Sequence, residues 1–313
     1  MIGGTKSVKV FQEWKAGVRA MALPFTEADM NKAEEHFKKA IALEATRQTG
    51  KPTTFQQARK ANNLGYPRAW SRYGYVKMTR FMEGWDLNAL ADADEFTKRA
   101  VRLDDTDYDV HWDRAFFFQL TSDGKPKKNF DRALKEYDRA QQLNDGNDEL
   151  RVEASEVYVS IGDHDKALAE LRRAGRVINH EWFWWDMAWV YYFKARLDPV
   201  YYDVALEQFR AMHWQPGDAR YVFDAQLLKA AIHAQKAAIH KKNKNSKGQK
   251  SEEQLRDVAM AHFRAKKDDL SMRSARRNRA KWNLGDEKRA RPFALKVNAD
   301  RDHWLNGCKL AGL

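Results

Sequence analysis

Five times along the chain a small residue is followed four positions later by a large one and, in most copies, three further on by another small one. The copies are Ala33/Phe37/Ala40, Ala93/Thr97/Ala100, Ala133/Tyr137/Ala140, Ala167/Leu171/Ala174 and Ala205/Phe209/Met212, with Thr97 and Met212 as the imperfect members. Residues at i, i+4 and i+7 share one face of an α-helix. The phrase therefore predicts recurring helices, each with a close-packing face. A repeat that completes its core only by stacking on neighbours builds an extended groove and not a closed catalytic pocket.

The remainder of the sequence agrees with an all-α array of about five to six helix hairpins. At 313 residues, 43% of them apolar, the chain can bury a continuous core. Seven prolines and sixteen glycines are few interruptions, and no stretch alternates apolar and polar residues as a half-buried strand would. Cys308 is the single cysteine, which rules out an internal disulfide and a cysteine-rich metal site and suits the cytoplasm. Val8 to Met21 has no apolar run long enough for a signal peptide or membrane span. It reads instead as an amphipathic first helix with Val10, Trp14, Val18 and Met21 on one stripe, so that residues 1–25 cap the array.

Net charge is +12, and all of the excess is late in the chain. Residues 236–250 hold six lysines and no acid, 251–263 one arginine against three acids, and 264–296 twelve basic against four acidic residues, leaving the rest neutral. Any electrostatic partner, whether an acidic protein, nucleic acid or an anionic surface, is thereby confined to the C-terminal part.

The cleanest repeat runs from Asp148 to about Glu181. Ser155 and Tyr158 lie on its first helix, Gly162 ends that helix in a left-handed conformation, and Ala167, Leu171 and Ala174 lie on the second. This order of small, Tyr, Gly, Ala, bulky and Ala resembles the tetratricopeptide repeat (TPR), which implies a right-handed α-solenoid. The other units carry longer turns than the roughly 34-residue period allows. Trp70/Gly74 precede Ala93, His111/Ala115/Phe118 precede Ala133, and Trp184/Ala188/Tyr191 precede Ala205. Thr121 to Lys128, closed by Asn129, is expected to loop out. Repeats are expected over 26–241, followed by a basic mobile loop at 242–251. Residues 252–313 then hold the last repeat helix, a basic segment and a C-terminal capping helix over about Asp300–Leu310.

A narrower resemblance rests on Gly84-Trp85, Ala100-Val-Arg-Leu-Asp104, His111-Trp112, Glu181-Trp-Phe-Trp184 with Tyr191-Tyr-Phe193, Pro292-Phe293 and the ending Asp300 to Leu313. These phrases are similar to the TPR region that follows bacterial class III adenylate/guanylate cyclase domains, and to related TPR regulators. Gly307, Lys309, Ala311 and Gly312 match the closing phrase of such regions, whereas Cys308 and Leu310 depart from it. No cyclase or winged-helix domain precedes the array. The resemblance thus implies a detached sensor or scaffold module without cyclase activity.

In TPR proteins the first helix of each pair lines the concave groove. By that resemblance Trp182, Trp185, Trp189 and Tyr192 would line it in one unit, opposite a packing stripe of Trp184, Ala188 and Tyr191. The neighbouring units would contribute Arg68, Ser71, Tyr75 and Met78, then Asp109, Trp112, Phe116 and Gln119. Such aromatic and polar side chains suit a peptide or helix of a partner protein. The competing reading is that core packing buries them, and a one-residue shift of register would exchange groove for core.

Arg273, Arg276, Arg277, Arg279 and Lys281 precede Trp282 and form a basic patch. It is either a phosphate-contacting stripe for nonspecific nucleic acid or a solvated helix face. No phosphate-binding glycine loop, nucleophile elbow or zinc-protease motif occurs. His233 and His240 lack a third ligand, so no metal and no cofactor is expected. The sequence therefore points to a non-catalytic scaffold or regulatory adaptor in a bacterial cytoplasm, open to self-association through terminal repeats. The alternatives are a nucleic-acid- or anionic-surface-associated protein and a regulatory subunit of a separately encoded cyclase or transcription factor.

Overall fold

The computed structural model describes residues 7–22, 26–82, 86, 88–121, 126–175, 181–212, 219–269 and 298–311. Among them are fourteen helices and the turns that join them. The chain divides into two compact units, Met1–Leu150 and Arg151–Leu313.

The first unit contains α1 (Val8–Ala20), α2 (Glu27–Thr49), α3 (Phe55–Ala61), α4 (Pro67–Met82), α5 (Ala89–Leu103), α6 (Tyr108–Leu120) and α7 (Pro126–Leu143). Helices α1 and α2, α4 and α5, and α6 and α7 pair as hairpins, and α4 also lies against both α2 and α6. Ala33, Phe37 and Ala40 on α2, Ala93, Thr97 and Ala100 on α5, and Ala133, Tyr137 and Ala140 on α7 are all fully buried. The imperfect member is accommodated chemically: Thr97 Oγ1 donates to Ala93 O at 2.8 Å and accepts from Arg114 Nη1 at 3.0 Å. Its hydroxyl is thereby satisfied inside the core. Helix α2 starts at a capping box, with Asp29 N donating to Thr26 Oγ1 at 3.2 Å and Thr26 N donating to Asp29 Oδ2 at 2.9 Å.

On α1, Val10 is buried and Trp14 and Met21 pack against the core, but Val18 is 37% exposed. Gly17 takes its place beneath Phe37. At 3.6 residues per turn the covered line runs 10, 14, 17, 21, which differs from the expected stripe at one position, Gly17 in place of Val18. The expected loop before Asn129 is also shorter, because Pro126 begins α7, a position where its missing N–H is no loss. Asn129 does close it, donating from Nδ2 to Thr121 O at 2.8 Å.

The second unit contains α8 (Glu149–Ile161), α9 (His164–Ala174), α10 (Glu181–Lys194), α11 (Tyr201–Ala211), α12 (Ala219–Lys242), α13 (Ser246–Asp269) and α14 (Asn298–Ala311). Gly162 sits at φ 84° and ends α8, and Asp163 N donates to Tyr158 O at 2.9 Å. Ala167, Leu171, Ala174, Ala205, Phe209 and Met212 are buried in one core. The break expected at 242–251 is confined to Asn243–Asn245. Lys244 adopts a left-handed φ of 56°, and Gly248 N donates to Asn245 Oδ1 at 2.9 Å, so α13 already starts at Ser246.

Helix α14 lies mainly along α12 and also touches α10 and α13. Tyr192 Oη and Gln235 Nε2 each donate to His303 O at 3.2 Å. The approach is close at Gly307, where a Cβ would lie 2.5 Å from Tyr192 Oη and 3.1 Å from Ala231 Cβ. Tyr192 is fully buried and cannot swing away. Gly307→Ala is therefore expected to destabilise the second unit by about 1–3 kcal/mol, the usual cost of overpacking a filled core. Urea unfolding monitored by circular dichroism measures it, and an unchanged midpoint would refute the close fit.

Candidate functional site

The aromatic residues of α10 do not form a surface. Trp185 is 3%, Trp189 2% and Tyr192 0% exposed, and Ala188, Tyr191 and Phe193 are buried as well. The side chain of Trp182 lies outside the described residues. The sequence left the stripe Trp182, Trp185, Trp189 and Tyr192 between groove and core; Trp185, Trp189 and Tyr192 lie in the core, so the groove assignment is corrected for these three. Helix α10 carries apolar residues around most of its circumference, Asp186 excepted, and it packs against α9, α11 and the C-terminal helix α14. The packing reading of α10 is the one that fits.

The face formed by α4 and α6 is different. Arg68, Tyr75, Trp112 and Phe116 are all half-exposed there, whereas Ser71, Met78 and Asp109 are buried. The half-exposed line includes Arg72 in place of Ser71, again a one-residue shift. The Tyr75 and Phe116 rings stack with centroids 5.5 Å apart at 28°. Arg72 carries its guanidinium 5.8 Å from both the Tyr75 and the Trp112 centroids, and Arg68 lies 5.7 Å from Trp14 and 5.9 Å from Tyr108. Aromatic rings of α1, α4 and α6 thus flank the two guanidinium planes of α4.

Three aspartates hold this row from beneath. Arg68 donates from Nε and Nη2 to Asp107 at 2.5 and 3.1 Å and lies 3.1 Å from Asp109. Arg72 donates to Asp109 at 3.3 Å and to Asp113 at 3.1 Å, and Ser71 Oγ donates to Asp113 Oδ2 at 2.7 Å. The geometry follows from spacing: Arg68 and Arg72 are one helical turn apart on α4, and Asp109 and Asp113 one turn apart on α6, so two like-charged pairs interlock as opposites. Asp107 also caps α6, accepting from Asp109 N at 3.0 Å, where the helix dipole favours an anion. Sequence reasoning passed over Arg72 and Asp113, although these paired i, i+4 spacings were a readable signal.

Burial pushes the Asp113 carboxyl up to about 6, and Arg72 and Ser71 only partly offset this. Below about pH 4, its ordinary range, folded and unfolded chains both hold the proton. As pH rises towards 6 the unfolded chain releases it first, so this group removes stability over that window. The unfolding free energy of wild type minus that of Asp113→Asn is expected to fall between pH 4 and 6 and level off above it. Denaturant titrations across that range decide the matter, and a flat or rising difference would contradict it.

The other sequence-level candidates resolve as follows. Arg273, Arg276, Arg277, Arg279 and Lys281 lie outside the described residues. His233 Nδ1 is 2.7 Å from Glu252 Oε2, and burial lowers its pKa, which favours the neutral ring; the ion pair of Glu252 is with Lys236 on α12 at 2.8 Å. Among the described residues no group of three or more His, Cys, Asp or Glu is arranged to hold a metal ion. No helix among them is long and apolar enough to cross a membrane.

Residues 127–198 match the tetratricopeptide repeat family, a span that runs from α7 to the turn after α10. Among solved structures the chain is similar to TTC0263, a thermophilic TPR protein in Thermus thermophilus, at 19% identity and a TM-score of 0.45, covering 64% of this chain and 91% of that one. It is also similar to the MamA protein at 18% identity and a TM-score of 0.39, covering 65% and 89%. No curated protein sequence matches significantly.

Proposed function

We propose that this tetratricopeptide-repeat protein is a non-catalytic recognition module whose α4/α6 face holds a segment of a partner polypeptide. The observation that carries this reading is the half-exposed row of Arg72, Tyr75, Trp112 and Phe116, with arginines tied down by buried aspartates. Aromatic and arginine side chains dominate binding energy at protein interfaces because they offer large contact area with few rotamers to freeze. Here the ion pairs fix Arg72 and the ring stacking orients Tyr75 and Phe116 before any partner arrives. Association then requires little ordering on this side.

The partner contacts would be apolar at the rings and polar at the rim, which suits an extended strand of peptide or one face of a helix. In that role the protein works as a scaffold or regulatory adaptor. Selection from a displayed peptide library against the full chain is expected to enrich a consensus with aromatic or aliphatic anchors. Trp112→Ala and Phe116→Ala should each weaken the selected peptides by about 2 kcal/mol, roughly thirtyfold, with the fold retained by circular dichroism. Peptides that bind both variants as well as wild type would reject this face as the site.

A further inference from the structure

The aromatic face of the first unit extends beyond α4 and α6. Arg68 lies 5.7 Å from the Trp14 centroid of α1 and 5.9 Å from the Tyr108 centroid of α6, so one guanidinium joins rings from two other helices. Phe11 meets Trp14 at 5.5 Å. At the other end Tyr75 stacks on Phe116, with Arg72 beside both Tyr75 and Trp112. Asp109 pairs with Arg68 and with Arg72 and so ties the two groups together. Phe11, Trp14, Tyr75, Tyr108, Trp112 and Phe116 are all half-exposed. Three helices therefore contribute rings to one partly open face.

Charge and hydrogen bonding narrow what can lie there. The two guanidinium groups are matched by three carboxylates, Asp107, Asp109 and Asp113, so no surplus positive charge is left for a phosphate or an acidic segment. Every element among the described residues is a helix, so no strand edge is on offer for a peptide to extend. A docked amphipathic helix needs a continuous apolar trough, whereas guanidinium groups interrupt the rings here. The recognition mode that remains is a polyproline II segment, which aromatic-lined surfaces take up. Such a segment has no internal hydrogen bonds, and its carbonyls are open acceptors. The arginines have donors to give: the aspartates engage three nitrogens of Arg68 and two of Arg72, fewer than the N–H groups each carries, and 20% of each side chain is exposed.

The dimensions agree as well. A polyproline II helix advances about 9 Å in its three-residue turn. Packed helices such as α4 and α6 have axes about 8–10 Å apart, so a segment crossing them presents every third residue to each successive helix.

We propose that the segment held on this face is proline-rich and lies in the polyproline II conformation across α1, α4 and α6. Every third residue rests against the rings, and backbone carbonyls accept from Arg68 and Arg72. The inference rests on the recognition role given to the α4/α6 face above, names the chemistry of its partner and adds Trp14 to the contact. Both sides are formed in advance, the segment by its pyrrolidine rings and the face by its ion pairs, so association freezes little on either.

The test is fluorescence anisotropy of fluorescein-labelled decaproline, about 30 Å long and so able to reach three helices, with the full-length chain. Wild type is expected to bind with a Kd below about 1 mM. Trp112→Ala should bind at least about tenfold more weakly. Phe116→Leu keeps the apolar bulk and loses only the ring, so it should weaken binding at least about threefold, and it provides the reading if Trp112→Ala does not fold. Glu207→Gln, in the other unit, should bind as wild type. In competition, acetyl-Pro-Ala-Ala-Pro-Ala-Ala-Pro-Ala-Ala-Pro-amide should displace the label at lower concentration than a tetraproline–hexaalanine block of the same composition. Decaglutamate and decathymidylate should not displace it. Absence of decaproline binding, equal binding by Phe116→Leu, a block peptide as effective as the spaced one, or displacement by either anion would each overturn the proposal. Proline-free library peptides that still depend on Trp112 and Phe116 would sink this inference alone, whereas peptides indifferent to both residues remove the reading beneath it.

Discussion

Ala33, Ala93, Ala133 and Ala205 each lie fully buried on the second helix of a hairpin, where the separation between the paired helices is set, and Ala167 is fully buried on α9. With only a methyl group at the contact line two helices can approach until their backbones are nearly touching, and the large residue one turn later fills the space beside it. Phe37, Tyr137 and Leu171 do this with no exposed surface remaining. A larger residue at any of the alanines would force the pair apart and misplace the first helix of the same hairpin. In two of the hairpins that first helix is α4 or α6, which carry the half-exposed row of arginine and aromatic side chains.

Rigid spacing explains why a charged lattice can exist on α4 and α6 at all. Burying Arg72, Asp109 and Asp113 carries a large desolvation cost, and replacing such groups by well-packed apolar residues is often neutral or favourable for stability. What the lattice secures is direction. Each guanidinium is held by two carboxylates, so Arg72 lies beside Tyr75 and Trp112, and Arg68 beside Trp14 and Tyr108, in one orientation instead of several. The first unit repeats this device elsewhere: Arg99 lies 4.5 Å from the Trp70 centroid and donates to Ala58 O at 3.1 Å, which fixes α5 on α3. Charged groups thus orient aromatic ones throughout this unit.

The helices and their pairing were legible because they depend on local regularities: small residues at fixed spacing, Gly162 at a helix end, Thr26 with Asp29 at a helix start. The side-chain faces were less so. Val18 and Ser71 each missed their expected environment by one residue, since neighbouring positions on a helix differ by 100° and only the partner helix decides which is covered. The misplaced tryptophans have a longer-range cause. Trp185, Trp189 and Tyr192 resemble groove residues in spacing, but α14, more than a hundred residues later, returns to α10 and α12. Nothing within α10 records that return. At Lys244 the limit was compositional: a polar run reads as a loop, yet Asn245 needs only one side-chain bond to start α13 there.

Asp113 and Asp186 make a controlled comparison within one chain. Both are aspartates on a first helix of a hairpin, both are almost wholly enclosed, and burial raises the pKa of both. Asp113 has Arg72 and Ser71 within hydrogen-bond distance and completes a closed lattice, so its burial is explained by the position it gives to its neighbours. Asp186 orients nothing among the described residues, and the charges around it oppose ionisation. An apolar residue of similar size would fill that space at lower cost, as the surrounding tryptophans and phenylalanines show.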